Sequence, residues 1–248
     1  MTDPVLLIDT TDRVRTLTLN RPKSRNALSR ELRTTFFAAL RDAEADDDVD
    51  VVILTGADPV FCAGLDLKEL GDSTELPDIS PKWPAMRKPV IGAINGAAVT
   101  GGLELALYCD ILIASDQARF ADTHARVGIM PGWGLSQKLS RTIGISRAKE
   151  LSLSGNFLDA KTACEWGLVN RVVPSGELLS AARALAADIA SADPAMVQAY
   201  KALIDEGYAQ SFGEALATEH RVSSAANRQV NAADVEARRR PVIERGRS

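Results

Sequence analysis

Glu104 is the only charged residue in the stretch Asn95-Gly96-Ala97-Ala98-Val99-Thr100-Gly101-Gly102-Leu103-Glu104-Leu105-Ala106-Leu107-Tyr108-Cys109. The glycine pair Gly101-Gly102 opens an apolar helix pattern, although each glycine weakens a helix by roughly 1 kcal/mol relative to alanine. Such a cost is tolerated where a backbone must approach another group closely. The free N–H groups of a helix's first turn suit a negatively charged oxygen. A carboxylate one turn into an apolar helix, beside those donors, is a candidate acid/base next to an oxyanion site. A second corner of this kind follows Val60-Phe61-Cys62, where Ala63-Gly64-Leu65-Asp66-Leu67-Lys68-Glu69-Leu70 turns from a short strand into a helix. Its N–H groups would supply the other half of the oxyanion site.

These corners need strands to carry them. Val51–Thr55, Pro89–Ile94 and Ile111–Ala114 are unbroken apolar runs, as expected of buried strands. Val5–Asp9 and Val14–Leu19 predict a hairpin, and Leu168–Val173 predicts the last strand. Ser29 caps a helix running to about Ala45. The acids Asp46-Asp47-Asp48 end it as a solvated loop. Gly71–Pro81 is expected as a loop and Trp83–Lys88 as a short helix. Ala118–Phe120 predicts a short strand leading to His124, and Gly128–Gly134 is a loop dense with helix breakers. Helices are expected at Leu135–Ile143 and Ser146–Leu153, and from the cap Asp159 to Trp166. Beyond Ser175 only amphipathic helices are expected. The alternation of strands and helices gives an α/β part, residues 1–174, followed by a helical region, 175–248.

The composition narrows the function. The 248 residues carry a net charge of −4 with no basic stripe, which argues against nucleic acid as the partner. No apolar run approaches the length of a membrane span. The N-terminus lacks a signal-peptide layout, so a soluble cytoplasmic protein is expected. Cys62, Cys109 and Cys164 are odd in number and far apart, which disfavours a disulfide framework. Histidines occur only at 124 and 220, and no spacing suggests a metal site.

Several ordered motifs together resemble the crotonase (enoyl-CoA hydratase/isomerase) superfamily. They are Leu19–Leu28 (LNRPKSRNAL), Phe61–Leu70 (FCAGLDLKEL), Asn95–Asp110, Val127–Gly134 (VGIMPGWG) and Ala163–Val173 (ACEWGLVNRVV). The resemblance implies a spiral of β-β-α repeats followed by a helical region that builds homotrimers, often paired into hexamers. It implies a coenzyme A thioester as substrate and no metal or redox cofactor. Carried over by motif, the oxyanion-hole amides are those of Leu65 and Gly101, and Glu104 matches the first catalytic glutamate of hydratases. Ser24, Arg25 and Ala27 correspond to contacts with the nucleotide end of coenzyme A. Ala63, Asp66, Leu67 and Lys68 correspond to the thioester and pantetheine path. Trp133 is expected to shape the acyl pocket.

The chain departs from the hydratase pattern where the second glutamate would stand, for that position holds His124. Three readings follow. His124 substitutes as the second acid/base, its ordinary pKa near 6.5 suiting proton transfer at neutral pH. Or Glu104 alone shuttles a proton, giving an isomerase or another enolate reaction. Or the pocket binds acyl-CoA without turning it over. Asp122, two residues earlier, is placed to orient the imidazole. The leading expectation is a hydratase-like lyase acting on acyl-CoA.

Overall fold

The computed structural model describes residues 3–71 and 83–246. The expected hairpin forms, with β1 (Leu6–Thr11) antiparallel to β2 (Val14–Leu19). A turn of 3-10 helix at Pro22–Ser24 leads to α1 (Arg30–Ala45), capped by the Ser29 hydroxyl, which accepts from the Leu32 amide at 3.2 Å. Leu32, Phe36, Ala39, Leu40 and Ala43 recur at helical spacing along α1 and are buried.

Three apolar runs become β3 (Val51–Gly56), β4 (Val90–Ile94) and β6 (Ile111–Ser115). With β9 (Arg171–Val173) at the edge they complete a six-stranded sheet in the order β1-β2-β3-β4-β6-β9, parallel from β2 onward. Both faces of this sheet are covered, which is why its strands are apolar throughout. Val52, Leu54, Val90 and Ile94 join the core that includes α1, while Val51, Ile53, Ile91 and Ala93 pack with Leu178, Ala182 and Ala186 of α8 (Leu178–Ala190). The period of two along each strand thus divides its side chains between two cores.

A second sheet, ordered β5-β7-β8, contains β5 (Ala97–Val99), β7 (Arg119–Ala121) and β8 (Leu158–Asp159). β4 passes into β5 through Asn95-Gly96, and β5 opens α3 (Gly101–Tyr108). Likewise β6 leads to β7 and then to α4 (His124–Val127). The strand expected at Val60–Cys62 is reduced to one parallel bridge onto β5. There the Cys62 amide donates to Ala97 O at 3.0 Å and the Val99 amide to Cys62 O at 2.9 Å. It leads through Gly64 to α2 (Leu67–Gly71). Both glycine corners therefore leave neighbouring positions of the second sheet.

The helix expected at Trp83–Lys88 does not form. The Arg87 and Lys88 amides donate instead to the Glu44 carboxylate at 3.1 and 3.3 Å. The loop expected at Gly71–Pro81 lies, from residue 72 on, outside the described residues. Downstream stand α5 (Leu135–Ile143), α6 (Ile145–Ser154) and α7 (Ala160–Glu165), the last capped by Asp159, whose Oδ1 accepts from the Thr162 amide at 2.9 Å.

The chain divides into two compact units, Met1–Val197 and Gln198–Ser248. The first continues past the composition change near Val173, because α8 is needed to cover one face of the large sheet. It also holds the start of α9 (Pro194–Tyr208). The second is helical, with the rest of α9, α10 (Phe212–Asn227) and α11 (Ala232–Arg245). Among the described residues no helix is long and apolar enough to cross a membrane.

Candidate active site

The two glycine corners meet. A Cβ built on Gly64 would lie 3.4 Å from the Gly101 nitrogen, and one built on Gly101 would lie 3.5 Å from Gly64 Cα. Gly64 holds φ +93°, a conformation that favours glycine. The orientation of the next amide follows from strand geometry. Leu28 N donates to Gly64 O at 2.8 Å and Asp66 N to Leu28 O at 3.4 Å, in a parallel bridge between Leu28 and Leu65. Successive peptide groups of a strand alternate in direction, so the Leu65 N–H points away from Leu28. Gly101 is the first residue of α3, where an N–H has no helical partner. Among the described residues neither the Leu65 nor the Gly101 amide donates to a protein acceptor. The two donors singled out from sequence thus stand on adjoining, directly contacting corners.

Glu104, one turn into α3, is buried, and its Oε1 accepts from the Trp133 amide at 2.8 Å. Burial pushes its carboxyl above the usual range, outweighing the Trp133 and Leu135 amides and the nearby His124, which act the other way. His124 begins α4 and is also buried. Its Nε2 stands 3.9 Å from Glu104 Oε2, and its Nδ1 stands 2.7 Å from Asp122 Oδ1. The same Asp122 oxygen accepts from the His124 amide at 3.1 Å. Asp122 is held below the usual carboxylate range: burial works against this, but the His124 ring, the Ser152 hydroxyl and the His124 amide outweigh it. An anionic Asp122 accepts a proton from Nδ1, so Nε2 is the ring nitrogen that faces Glu104. Asp122 thus meets the imidazole through the turn that opens α4.

Trp133 is bound into the same site. Its ring lies 3.4 Å from where a Gly101 Cβ would stand, while its amide holds Glu104. It meets Trp83 edge to face at 5.7 Å, and Trp83 stacks on Tyr108 at 4.3 Å. The result is an aromatic layer beside the carboxylate. The importance of the Trp133 amide, as opposed to its ring, carried no sequence signal.

The residues assigned to coenzyme A also come together. Ala63 N donates to Arg25 O at 3.1 Å, and Ala27 N to Ser24 O at 3.0 Å. Arg21 Nη1 bonds Ala27 O and Asp66 Oδ2, the latter at 2.9 Å, tying this loop to the Leu65 corner. Lys68 N donates to Asp66 Oδ1 at 3.2 Å, and Leu67 is exposed beside it. Sequence reasoning missed the residue that locks the loop. Asn26 is fully buried at positive φ, its Nδ2 donating to Ala57 O at 2.7 Å and Val60 O at 2.6 Å while its Oδ1 accepts from Arg21 N at 2.9 Å. Asparagine's tolerance of that conformation was the available signal.

Thr100 was also missed. It precedes Gly101 with φ 53° and ψ −109°, costly for a β-branched residue by roughly 1–3 kcal/mol. Its position is that of a helix cap, yet its hydroxyl makes no cap bond. It lies 2.5 Å from the Thr123 hydroxyl and accepts from the Thr123 amide at 3.2 Å.

Residues 9–238 match the family model described as enoyl-CoA hydratase/isomerase. The chain belongs to the enoyl-CoA hydratase/isomerase family. Members related to it include a probable peroxisomal enoyl-CoA hydratase 1 of Arabidopsis thaliana, 47% identical over 210 residues that span 82% of this chain and 79% of that one. A 2,3-dehydroadipyl-CoA hydratase of Escherichia coli is 38% identical over 224 residues, 88% of each chain. Among solved members, an enoyl-CoA hydratase from Mycobacterium tuberculosis H37Rv is 60% identical with a TM-score of 0.79, covering 89% of this chain and 98% of that one. One from Bacillus anthracis is 33% identical with a TM-score of 0.87 and 96% of both chains covered. The two-sheet α/β spiral of this family member is accordingly the crotonase fold.

Proposed function

We propose that this chain is an enoyl-CoA hydratase-like hydro-lyase, adding water to a 2-enoyl-CoA thioester and catalysing the reverse elimination. The observation that carries this reading is the Glu104–His124 pair, 3.9 Å apart, with the imidazole anchored on Asp122. That separation is too long for a direct hydrogen bond and suits a reactant oxygen held by both groups. In the addition, the water O–H bond breaks as its oxygen bonds the β-carbon. The alkene electrons move to the thioester oxygen as an enolate, and a proton then returns to the α-carbon. The Leu65 and Gly101 amides stabilise that oxygen, each worth roughly 3–4 kcal/mol in comparable sites. Glu104 and His124 share the two proton transfers. These steps balance without a metal or redox cofactor.

Ser24, Arg25 and Ala27 contact the nucleotide end of coenzyme A in this reading. Ala63, Asp66, Leu67 and Lys68 line the pantetheine path, and Trp133 borders the acyl group. A homotrimer or dimer of trimers is supported by exposed apolar side chains of the helical unit, among them Tyr208, Phe212 and Leu216. A cytoplasmic location is supported by three free thiols, at Cys62, Cys109 and Cys164.

The test is to add the pure protein to crotonyl-CoA and longer enoyl-CoAs and follow loss of the conjugated enoyl absorbance. Hydration is expected. Tight binding without turnover at any chain length would favour a binder, and α-proton exchange without water addition would favour an isomerase.

A further inference from the structure

We propose that Thr100 is a positioning residue that locks the oxyanion corner and the His124 acid/base pair into one register through its hydroxyl contact with Thr123. The proposal rests on the hydratase reading of the site. Thr100 is bound at every polar atom. Its amide donates to Ala121 O at 2.8 Å, its carbonyl accepts from the Glu104 amide at 3.0 Å, and its hydroxyl meets both the amide and the hydroxyl of Thr123. Three of these bonds run to the segment that ends β7 and opens α4.

The position of those partners gives the residue its role. The peptide after Thr100 carries the Gly101 N–H, so the Thr100 backbone angles aim that donor. Thr123 stands between Asp122 and His124, so its placement sets the start of α4 and the ring bonded to Asp122. One pair of hydroxyls therefore joins the group that would receive negative charge to the group that would move the proton. A threonine at φ 53° persists only where the surroundings over-determine it, and here they are parts of the site itself. A shift of about an ångström between such groups is enough to cost about a hundredfold in rate.

The test compares Thr100→Val, which keeps the shape and removes the hydroxyl, with Thr100→Ser, which keeps the hydroxyl. In the hydration assay Thr100→Val is expected to lower kcat by about 10–100-fold with KM within about threefold, and Thr100→Ser to remain within about threefold of the parent. Thr123→Val approaches the same contact from the other side. Its effect is expected to combine with that of Thr100→Val less than additively, since both remove one interaction. Equal kcat for Thr100→Val and the parent overturns the proposal, as does equal damage from Val and Ser.

A second readout does not depend on turnover. The chain has histidines only at 124 and 220, and His220 is exposed. In Thr100→Val the ring proton NMR signals of His124 are expected to move while those of His220 stay in place. Unmoved His124 signals overturn the clamp. Absent hydration by the parent protein, with moved signals, would sink the hydratase reading and leave the clamp standing.

Discussion

His124 Nε2 and Glu104 Oε2 face each other across 3.9 Å, and each is fixed from behind: the imidazole by Asp122 and the carboxylate by the Trp133 amide. Each side chain thus has an anchor other than its opposite, on the atom that points away from the gap. The Asp122 anchor is the more telling, because it decides which imidazole nitrogen carries the proton. Asp122→Asn can turn a donor toward Nδ1, favouring the tautomer with the proton on Nε2 and removing the base from the gap. The expected result is a fall in kcat of roughly 10²-fold or more with little change in KM. Unchanged kcat in Asp122→Asn would show that the imidazole takes no part in proton transfer.

Glu104→Gln separates activity from stability. Glutamine still accepts the Trp133 N–H but cannot exchange a proton, so turnover is expected to fall roughly 10²–10⁴-fold. Stability moves the other way. Burial raises the carboxyl's pKa in the folded state, so the native protein binds more protons than the unfolded chain. The cost of ionising Glu104 is absent below its unfolded value near 4.3 and grows as pH rises toward the folded value. The Gln variant should therefore melt higher than the parent at pH 7, with the difference vanishing near pH 4. A difference in melting temperature that is constant with pH would contradict the assignment of burial as the cause.

Much of this arrangement is legible in the sequence because it is written in local chemistry. The apolar runs at Val51–Thr55 and Pro89–Ile94, the glycine corners, the lone acid at 104 and the Asp122–His124 spacing all announce themselves. What is not legible depends on distant parts of the chain. The Trp83–Lys88 segment has helical composition, but its amides are taken by Glu44 on α1. The helix α8 looks like part of the tail, yet its small residues cover one face of the sheet. The strained Thr100 has no signal beyond its type, since its conformation is set by Ala121 and Thr123.

The Arg21–Asp66 pair should matter for coenzyme A affinity more than for chemistry. Arg21 joins Ala27 O to Asp66 Oδ2, holding the Leu65 corner against the Ser24–Ala27 loop. Burial works against ionising Asp66, but its bond to Arg21 and the Lys68 and Glu69 amides hold its pKa below the usual range. That stabilisation is present above the unfolded value near 3.9 and is lost as pH falls through the lowered folded value. Asp66→Asn is expected to cost about 1–3 kcal/mol at pH 7, to flatten the acid limb of the stability curve, and to raise KM about tenfold with kcat less affected. An acid limb identical to the parent's would show that the pair does not hold the loop.

Adjacent glycines should respond oppositely to the same methyl group. A Cβ on Gly102 would sit 2.1 Å from Cys62 O and 2.8 Å from Cys62 C, in a residue tied to β5 by the bonds of its own amide to Ala97 O and of the Val99 amide to its carbonyl. Neither can retreat without breaking the bridge, so Gly102→Ala is expected to lose roughly 1–3 kcal/mol or more despite alanine's better helix propensity. A Cβ on Gly101 would instead meet Trp133, Gly64 and Leu28 at 3.4–3.5 Å, ordinary contact distances. Gly101→Ala should therefore fold, gaining up to about 1 kcal/mol from helix propensity. Its methyl would still stand between the indole of Trp133 and the Gly64 corner, where a thioester would pass to reach both amides under the proposed mechanism. A loss of kcat/KM of about tenfold or more in a well-folded Gly101→Ala, measured beside a destabilised Gly102→Ala, is the expected pair of outcomes. Full activity in Gly101→Ala would mean that the thioester oxygen does not approach between the corners.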